Sequence, residues 1–124
     1  MIQSSISPKS ELARKGEQLA CDHLQSKGYV ILKRNHRIGI GELDIIARHG
    51  RDLVFVEVKT RESAFMTDPL KLVPITKQRQ VIRLADVYLK SLTSLERARF
   101  DIVIIVHTAQ STEIKHIEDA FYSM

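Results

Sequence analysis

The feature that most constrains the fold is a β-hairpin predicted over Leu43–Arg61, in the middle of the chain. Two apolar runs rich in β-branched residues, 43–47 and 53–58, flank the sequence His-Gly-Arg-Asp. Gly50 and Arg51 form a two-residue loop with glycine in the first position, the order that a type II′ turn requires. A hairpin closed at this loop has its strand register fixed, because loop length and turn type determine which residues face each other.

This register places Asp44 directly opposite Glu57 and Glu42 opposite Lys59. Since side chains alternate along a strand, Glu57, Lys59 and Arg61 share one face of the sheet. Directly opposed residues have Cβ atoms about 5 Å apart. Two carboxylates at this distance repel each other by roughly 3 kcal/mol at an effective dielectric constant of about 20. A divalent cation between them turns the repulsion into attraction, so the acidic pair predicts a metal site.

The residues on this face supply the groups that a metal-dependent phosphodiesterase needs. Mg²⁺ binds one or two carboxylates and a substrate phosphate while it keeps several waters. Asp44 and Glu57 are therefore the predicted ligands of Mg²⁺ or Mn²⁺, and the backbone carbonyl of Val58 is a further candidate. A bound metal ion would lower the pKa of the attacking water. Lys59 would position or deprotonate that water, or offset charge on the pentavalent transition state.

A helix predicted between Pro8 and Gly28 carries one more acid, Glu17, inside its apolar stripe. Ala13 and Ala20 flank Glu17 at helical spacing. Two interpretations fit this position. Glu17 is either a helix-edge glutamate with its carboxylate in water, or a third carboxylate directed at the cation site. The spacing alone slightly favours the first interpretation.

Basic residues cluster at two places near the predicted site. Residues 33–37 form a dense basic run just before the glycine turn at 39–41. Lys77, Arg79 and Arg83 lie in the first turns of a second predicted helix, where the helix dipole favours anions over cations. Both clusters fit either a solvated surface or contacts to a phosphate backbone. The residues predicted to contact phosphate are Arg34, Arg37, Arg61 and Lys77.

The remaining patterns complete an α/β architecture. A short strand at Tyr29–Leu32 precedes the hairpin, and a second helix opens at 74–76 with Thr76 as its predicted N-cap. The apolar segment Phe100–Val106 is typical of a strand covered on both faces, and Glu113–Ile117 is a candidate edge strand. The order helix, three strands, helix, strand predicts a mixed sheet with a parallel crossover through the second helix.

Composition sets the broad class. The chain has 124 residues, which predicts a single domain over 1–124, with residues 1–7 disordered. A net charge of +4 fits a polyanionic partner such as nucleic acid without requiring one. The single cysteine cannot form an internal disulfide, and no apolar stretch approaches the roughly 20 residues of a membrane span. The N-terminus lacks the apolar core of a signal peptide, so the predicted location is the cytoplasm, without a membrane partner.

At Asp44, Glu57, Val58 and Lys59 the sequence resembles the signature of the PD-(D/E)XK nuclease superfamily. The order of elements is similar to the common core of that superfamily, and the spacing with the early helical Glu17 is most similar to the archaeal Holliday junction resolvases. The resemblance implies a restriction-endonuclease-like αβββαβ core and Mg²⁺-dependent cleavage of DNA. It also implies that Glu17, Asp44 and Glu57 are acidic site groups and that Lys59 is the catalytic lysine.

Nearly the whole chain, from about Lys15 to Phe121, resembles the uncharacterised bacterial YraN family. The segments that carry this likeness are GEQLACDHLQSKGYVILKRNHR, GELDIIARHGRDLVFVEVKTR and RFDIVII. The chain departs from the literal nuclease motif at one position, since Leu43 rather than proline precedes Asp44. Analogy with the resolvases also implies a homodimer, because two cuts on a symmetric junction need two sites.

Three hypotheses of function follow. The first is a metal-dependent endonuclease that hydrolyses phosphodiester bonds of DNA, with branched DNA among its candidate substrates. The second is a non-catalytic nucleic-acid-binding protein that retains the nuclease fold, for which binding should be salt-sensitive and should survive chelation. The third is an assembly protein whose acidic pair is held by hydrogen bonds, for which neither metal binding nor DNA binding is expected.

Overall fold

The computed structural model describes residues 9–63 and 68–122, which form a five-stranded mixed sheet packed against two helices. The predicted disorder of residues 1–7 lies outside the described residues. The predicted αβββαβ order is confirmed, and one further strand follows it. In chain order the elements are α1 (Glu11–Ser26), β1 (Val30–Ile38), β2 (Gly41–His49), β3 (Asp52–Arg61), a short 3₁₀ helix (Pro69–Leu72), α2 (Ile75–Lys90), β4 (Arg97–His107) and β5 (Thr112–Phe121).

The strands lie side by side in sequence order, from β1 at one edge to β5 at the other. Only β3 and β4 are parallel, and α2 connects them because parallel neighbours need a long crossover. Both edge strands are longer than predicted. β1 continues through the basic run 33–37, which pairs with β2, and β5 extends beyond Glu113–Ile117.

The core has two halves, one on each face of the sheet. Because side chains alternate along β3, Leu53 and Phe55 pack in the apolar cluster that includes residues of α2. Val54 and Val56 pack in the cluster that includes residues of α1. Residues 100–106 of β4 are buried throughout, as expected for a strand covered on both faces.

The β2–β3 hairpin closes at the predicted loop. Gly50 has a φ of +58°, whereas Arg51 does not have a positive φ. This combination fits a type II′ turn, in which only the first central residue takes the left-handed region. The predicted register is confirmed as far as the pair of Ile45 with Val56. The sequence of the turn alone was sufficient to align these two strands.

The two helices begin in different ways. α1 begins with the Ser10 side chain as its N-cap, which accepts a hydrogen bond of 3.1 Å from the backbone N–H of Ala13. The predicted N-cap of α2, Thr76, is wrong. Pro74 holds this position in an extended conformation, with φ −62° and ψ 160°, so Thr76 already lies within the helix. Each helix has 16 residues, and none in the described part of the chain is long and apolar enough to cross a membrane.

Candidate active site

The β2–β3 hairpin brings the two predicted acids, Asp44 and Glu57, together. Backbone pairing of β2 with β3 in the predicted register extends to Ile45 and Val56. Beyond this pair, a side-chain oxygen of β2 accepts a hydrogen bond from the backbone of β3. Asp44 Oδ2 accepts a hydrogen bond of 2.9 Å from the backbone N–H of Val58. The negative charge of Asp44 also acts on the Glu57 carboxyl. The hairpin therefore brings the two acids to the same cavity.

Glu57 is an unusual carboxyl because it is only 4% exposed and faces another acid. Burial and the negative charge of Asp44 raise the pKa of Glu57 from its ordinary value of 4.5 to about 8. Two lysines partly oppose this effect, since Lys77 Nζ lies 3.9 Å and Lys59 Nζ lies 3.8 Å from Glu57 Oε2. A carboxyl with such a pKa exchanges its proton near neutral pH, which is typical of groups in catalytic and metal-binding sites.

Lys9, which no sequence pattern indicated, forms ion pairs with three carboxylates of the site. Its ammonium group contacts the carboxylate of Glu17 and lies 3.1 Å from Glu42 Oε1 and 3.3 Å from Asp44 Oδ1. It also donates a hydrogen bond of 2.7 Å to Asn35 Oδ1. Burial lowers the pKa of Lys9, but the charge of Asp44 and the hydrogen bonds to Glu17 and Glu42 outweigh burial and raise it above its ordinary value. Lys9 is therefore a fixed positive charge in the site.

The structure decides between the two interpretations of Glu17. This residue is only 4% exposed, so it is not a helix-edge glutamate with its carboxylate in water. The backbone pairs of β2 with β3 end at Ile45 and Val56, before the predicted pair of Glu42 with Lys59, and the Glu42 carboxylate contacts Lys9. In both cases the carboxylate contacts Lys9, which precedes α1. Spacing within one helix or hairpin contains no information about such a residue.

A close contact between α1 and β3 positions Glu17. A Cβ atom at Gly16 would lie 2.0 Å from Thr60 Oγ1, so only glycine allows the helix to approach the strand this closely. Glu17 is the next residue along α1 and is carried to the same end of the sheet as Glu57. The signal that could have indicated this arrangement is the small Gly16 within the apolar stripe of the helix.

The predicted phosphate-contacting residues do not all lie together. Lys77, in the first turn of α2, is part of the site. Arg34 and Arg37 lie on the edge strand β1, where Arg34 is bonded to a glutamine of α1 and Arg37 to a backbone carbonyl of its own turn. Arg61 is exposed at the end of β3. Among these four residues, only Lys77 contacts one of the site acids through an ion pair in the described structure.

The site residues line an open cavity of about 360 Å³ at the end of the hairpin. Its wall includes the backbone of the Val58 region and both the α1 and α2 starts, so it is built from four separate parts of the chain. The charged side chains that line it are Glu17, Asp44, Glu57, Lys9, Lys59 and Lys77. A cavity with carboxylates beside ammonium groups can bind a cation and an anion next to each other.

Asp44 and Glu57 have the donor chemistry that a divalent cation needs. Within residues 9–63 and 68–122, no group of three or more His, Cys, Asp or Glu side chains is arranged to hold a metal ion. Mg²⁺ requires fewer, since one or two carboxylates suffice when water and substrate phosphate complete the shell. The buried Glu57 and the partly buried Asp44 fit this smaller ligand set, whereas Glu17 and Glu42 are directed to Lys9.

Known proteins similar to this chain form one family. The sequence profile of "Uncharacterised protein family UPF0102" matches residues 16–105, which include every predicted acidic ligand but not Lys9. A UPF0102 protein of Chlorobium chlorochromatii is 44% identical over 118 residues, covering 90% of this chain and 92% of the relative. Another, of Geobacter metallireducens, is 44% identical over 111 residues, covering 89% and 91%. A third, of Bacteroides thetaiotaomicron, is 39% identical over 113 residues, covering 91% and 93%. This chain therefore belongs to the UPF0102 family, which is the YraN family that its sequence resembles.

Proposed function

We propose that this protein is a metal-dependent endonuclease that hydrolyses phosphodiester bonds of DNA. The observation that carries the proposal is the buried Glu57 carboxyl, which is exposed to the negative charge of a second acid, Asp44, and lies 3.8 and 3.9 Å from two lysine ammonium groups. An acid held against an acid is unfavourable in a purely structural role. The arrangement is favourable when a cation binds the carboxylates and an anion such as phosphate binds beside the lysines.

Each residue of the site has a role in this proposal. Asp44 and Glu57 would hold Mg²⁺ or Mn²⁺, with the carbonyl of Val58 as a further ligand. The bound cation would lower the pKa of the attacking water and neutralise charge on the phosphate. Lys59 orients the water or stabilises the negative charge that develops in the transition state. Glu17 would support the metal or the attacking water from the α1 side of the cavity.

DNA is the proposed substrate, with branched DNA included. The net charge of +4 favours association with a polyanion. Lys77 is proposed to contact the phosphate next to the cleaved bond, a role that the position of its ammonium group, 3.9 Å from Glu57 Oε2, supports. Arg34, Arg37 and Arg61 are proposed to contact phosphates further along the backbone. A homodimer would present two such sites to a symmetric junction.

Cleavage of labelled DNA tests the proposal. Linear duplex, single-stranded and four-way DNA are incubated with the purified protein in Mg²⁺, in Mn²⁺ or in EDTA. We expect cleavage only with metal, and a loss of about 100-fold or more in Asp44→Asn and Lys59→Met. The matched controls are Glu113→Gln and Lys115→Met, which change the same charges on the exposed edge strand β5. They should cleave at the wild-type rate.

Two results would contradict the nuclease proposal. One is no cleavage of any of these substrates by the wild-type protein, and the other is cleavage by Asp44→Asn at the wild-type rate. Salt-sensitive DNA binding without cleavage, unaffected by EDTA and by Asp44→Asn, would instead support the non-catalytic nucleic-acid-binding protein.

A further inference from the structure

Lys9 is the charged residue of the cavity to which the proposed chemistry assigns no role. Four side-chain oxygens surround its ammonium group, three from carboxylates and one from an amide. The residues that provide them are Glu17, Glu42, Asp44 and Asn35. The ammonium group thus lies where several carboxylates converge, which is the kind of position that a metal ion takes.

The contact of Lys9 with Asp44 involves the oxygen at which a metal ion would bind. Asp44 Oδ2 already accepts the hydrogen bond from the Val58 N–H, so Oδ1 is the oxygen that faces other partners. Lys9 Nζ lies 3.3 Å from this same Oδ1. A divalent cation bound at Oδ1 would stand next to the ammonium group, and the two positive charges would repel each other strongly in a partly buried site.

We propose that Lys9 is a tethered competitor of the divalent metal, and that the site takes up metal only as the Lys9 ammonium group leaves Asp44. This inference rests on the proposed metal-dependent function. It makes metal loading a regulated step, because any partner that draws Lys9 away from the carboxylates, such as a substrate phosphate, would favour metal binding. Substrate and metal would then bind cooperatively.

The position of Lys9 in the chain allows this movement. Lys9 precedes the N-cap residue Ser10, so α1 and its capping hydrogen bond do not depend on where the lysine side chain lies. Its side chain is 31% exposed, which leaves a path to solvent.

Calorimetric titration with Mn²⁺, without DNA, tests the proposal on the full chain. Lys9→Met removes the competing charge, and we expect it to bind Mn²⁺ roughly 10-fold more tightly than the wild type, within the usual range of coupling between two ligands. Lys9→Arg keeps the charge and should bind Mn²⁺ with an affinity close to the wild-type value. Lys15→Met removes an exposed lysine of α1 that contacts His107 rather than the site, and it should not change the affinity.

The outcomes separate this inference from the proposed function. If the wild type binds Mn²⁺ and Lys9→Met binds it no more tightly, the competitor role is wrong and the metal site stands. If neither protein binds Mn²⁺, the metal-dependent function fails and this inference fails with it. Lys9→Gln serves as a second uncharged variant if Lys9→Met does not fold. In the uncharged variants, Mn²⁺ should also raise the melting temperature more than it does in the wild type.

Discussion

Two clusters on this sheet are each built around a buried acid, and they surround that acid with opposite kinds of partner. Asp101 of β4 is fully buried and accepts hydrogen bonds from Tyr29 at 3.0 Å, from His116 at 2.8 Å and from Arg99 at 2.9 Å. Burial raises the pKa of Asp101, but the bonds from His116 and Arg99 outweigh it and hold the pKa well below its ordinary value. Glu57 has the reverse shift, because burial and the negative charge of Asp44 both raise its pKa.

The difference separates a structural acid from a reactive one. Every strong partner of Asp101 is a donor or a cation, so its charge is stabilised and the network needs no outside ligand. The lysines beside Glu57 lie at 3.8 and 3.9 Å, too far for hydrogen bonds, and leave its charge incompletely balanced. A carboxylate whose charge is incompletely balanced is stabilised when it binds a proton or a metal ion.

Removal of Asp101 should have the largest effect. Asp101→Ala leaves Arg99 and three further donors without their shared acceptor, and we expect the free energy of unfolding to fall by about 3–5 kcal/mol. Urea denaturation measures the change. The control is Asp86→Ala, which removes an exposed ion pair with Lys90 on α2 and should alter stability by only about 0.3–0.5 kcal/mol. Similar losses in the two variants would show that the Asp101 network is not structural.

A smaller loss is expected at the helix contact on which the other cluster depends. Gly16→Ala places a Cβ atom 2.0 Å from Thr60 Oγ1 and should reduce the free energy of unfolding by about 1–3 kcal/mol. Adding Thr60→Ala removes the clashing oxygen and should restore part of the loss. Gly41→Ala is the matched control, since its Cβ would come no closer than 2.7 Å to another atom, Cδ1 of Leu84, and should cost less. Equal losses at the two glycines in urea denaturation would contradict this account.

The smallest predicted effect is a gain in stability at alkaline pH when Glu57 is replaced. Its carboxyl keeps a proton in the folded protein up to about pH 8, whereas the unfolded chain releases it near its ordinary pKa of 4.5. The folded state therefore binds more protons between these values, and its stability falls as the pH rises through this range. Glu57→Gln removes this penalty and should be more stable than the wild type at alkaline pH.

We expect the gain in Glu57→Gln to be about 1 kcal/mol, or roughly 4 °C in melting temperature, because glutamine also loses the attraction of Lys59 and Lys77. The measurement is thermal unfolding in EDTA at pH 5.5 and 8.5, with the gain confined to the higher pH. A gain of the same size at both values would indicate that proton binding at Glu57 is not its origin. The pH dependence of stability due to Asp101 has the opposite sign. Its ionised carboxylate stabilises the folded state above its ordinary pKa of 3.8, and this stabilisation is lost as the pH falls.

Much of the fold could be predicted from local patterns. Alternation along β3 and the apolar run of β4 indicated the strands, and helical spacing indicated α1 and α2, so the order of the strands and α-helices was predicted, but the short 3₁₀ helix was not. The strand limits were less predictable. β1 continues through its basic residues because backbone pairing with β2, rather than side-chain hydrophobicity, determines where an edge strand ends.

The sequence by itself determined the register of β2 against β3 as far as Ile45 and Val56, because a two-residue turn at Gly50 aligns the strands through contacts that are close in the chain. Only the tertiary structure decided what surrounds the two acids that follow this pair. Lys9 and Lys77 reach these acids from the starts of α1 and α2, which come to one end of the sheet when both helices bury their apolar faces. Such packing depends on the whole core, so no spacing within one element reveals it.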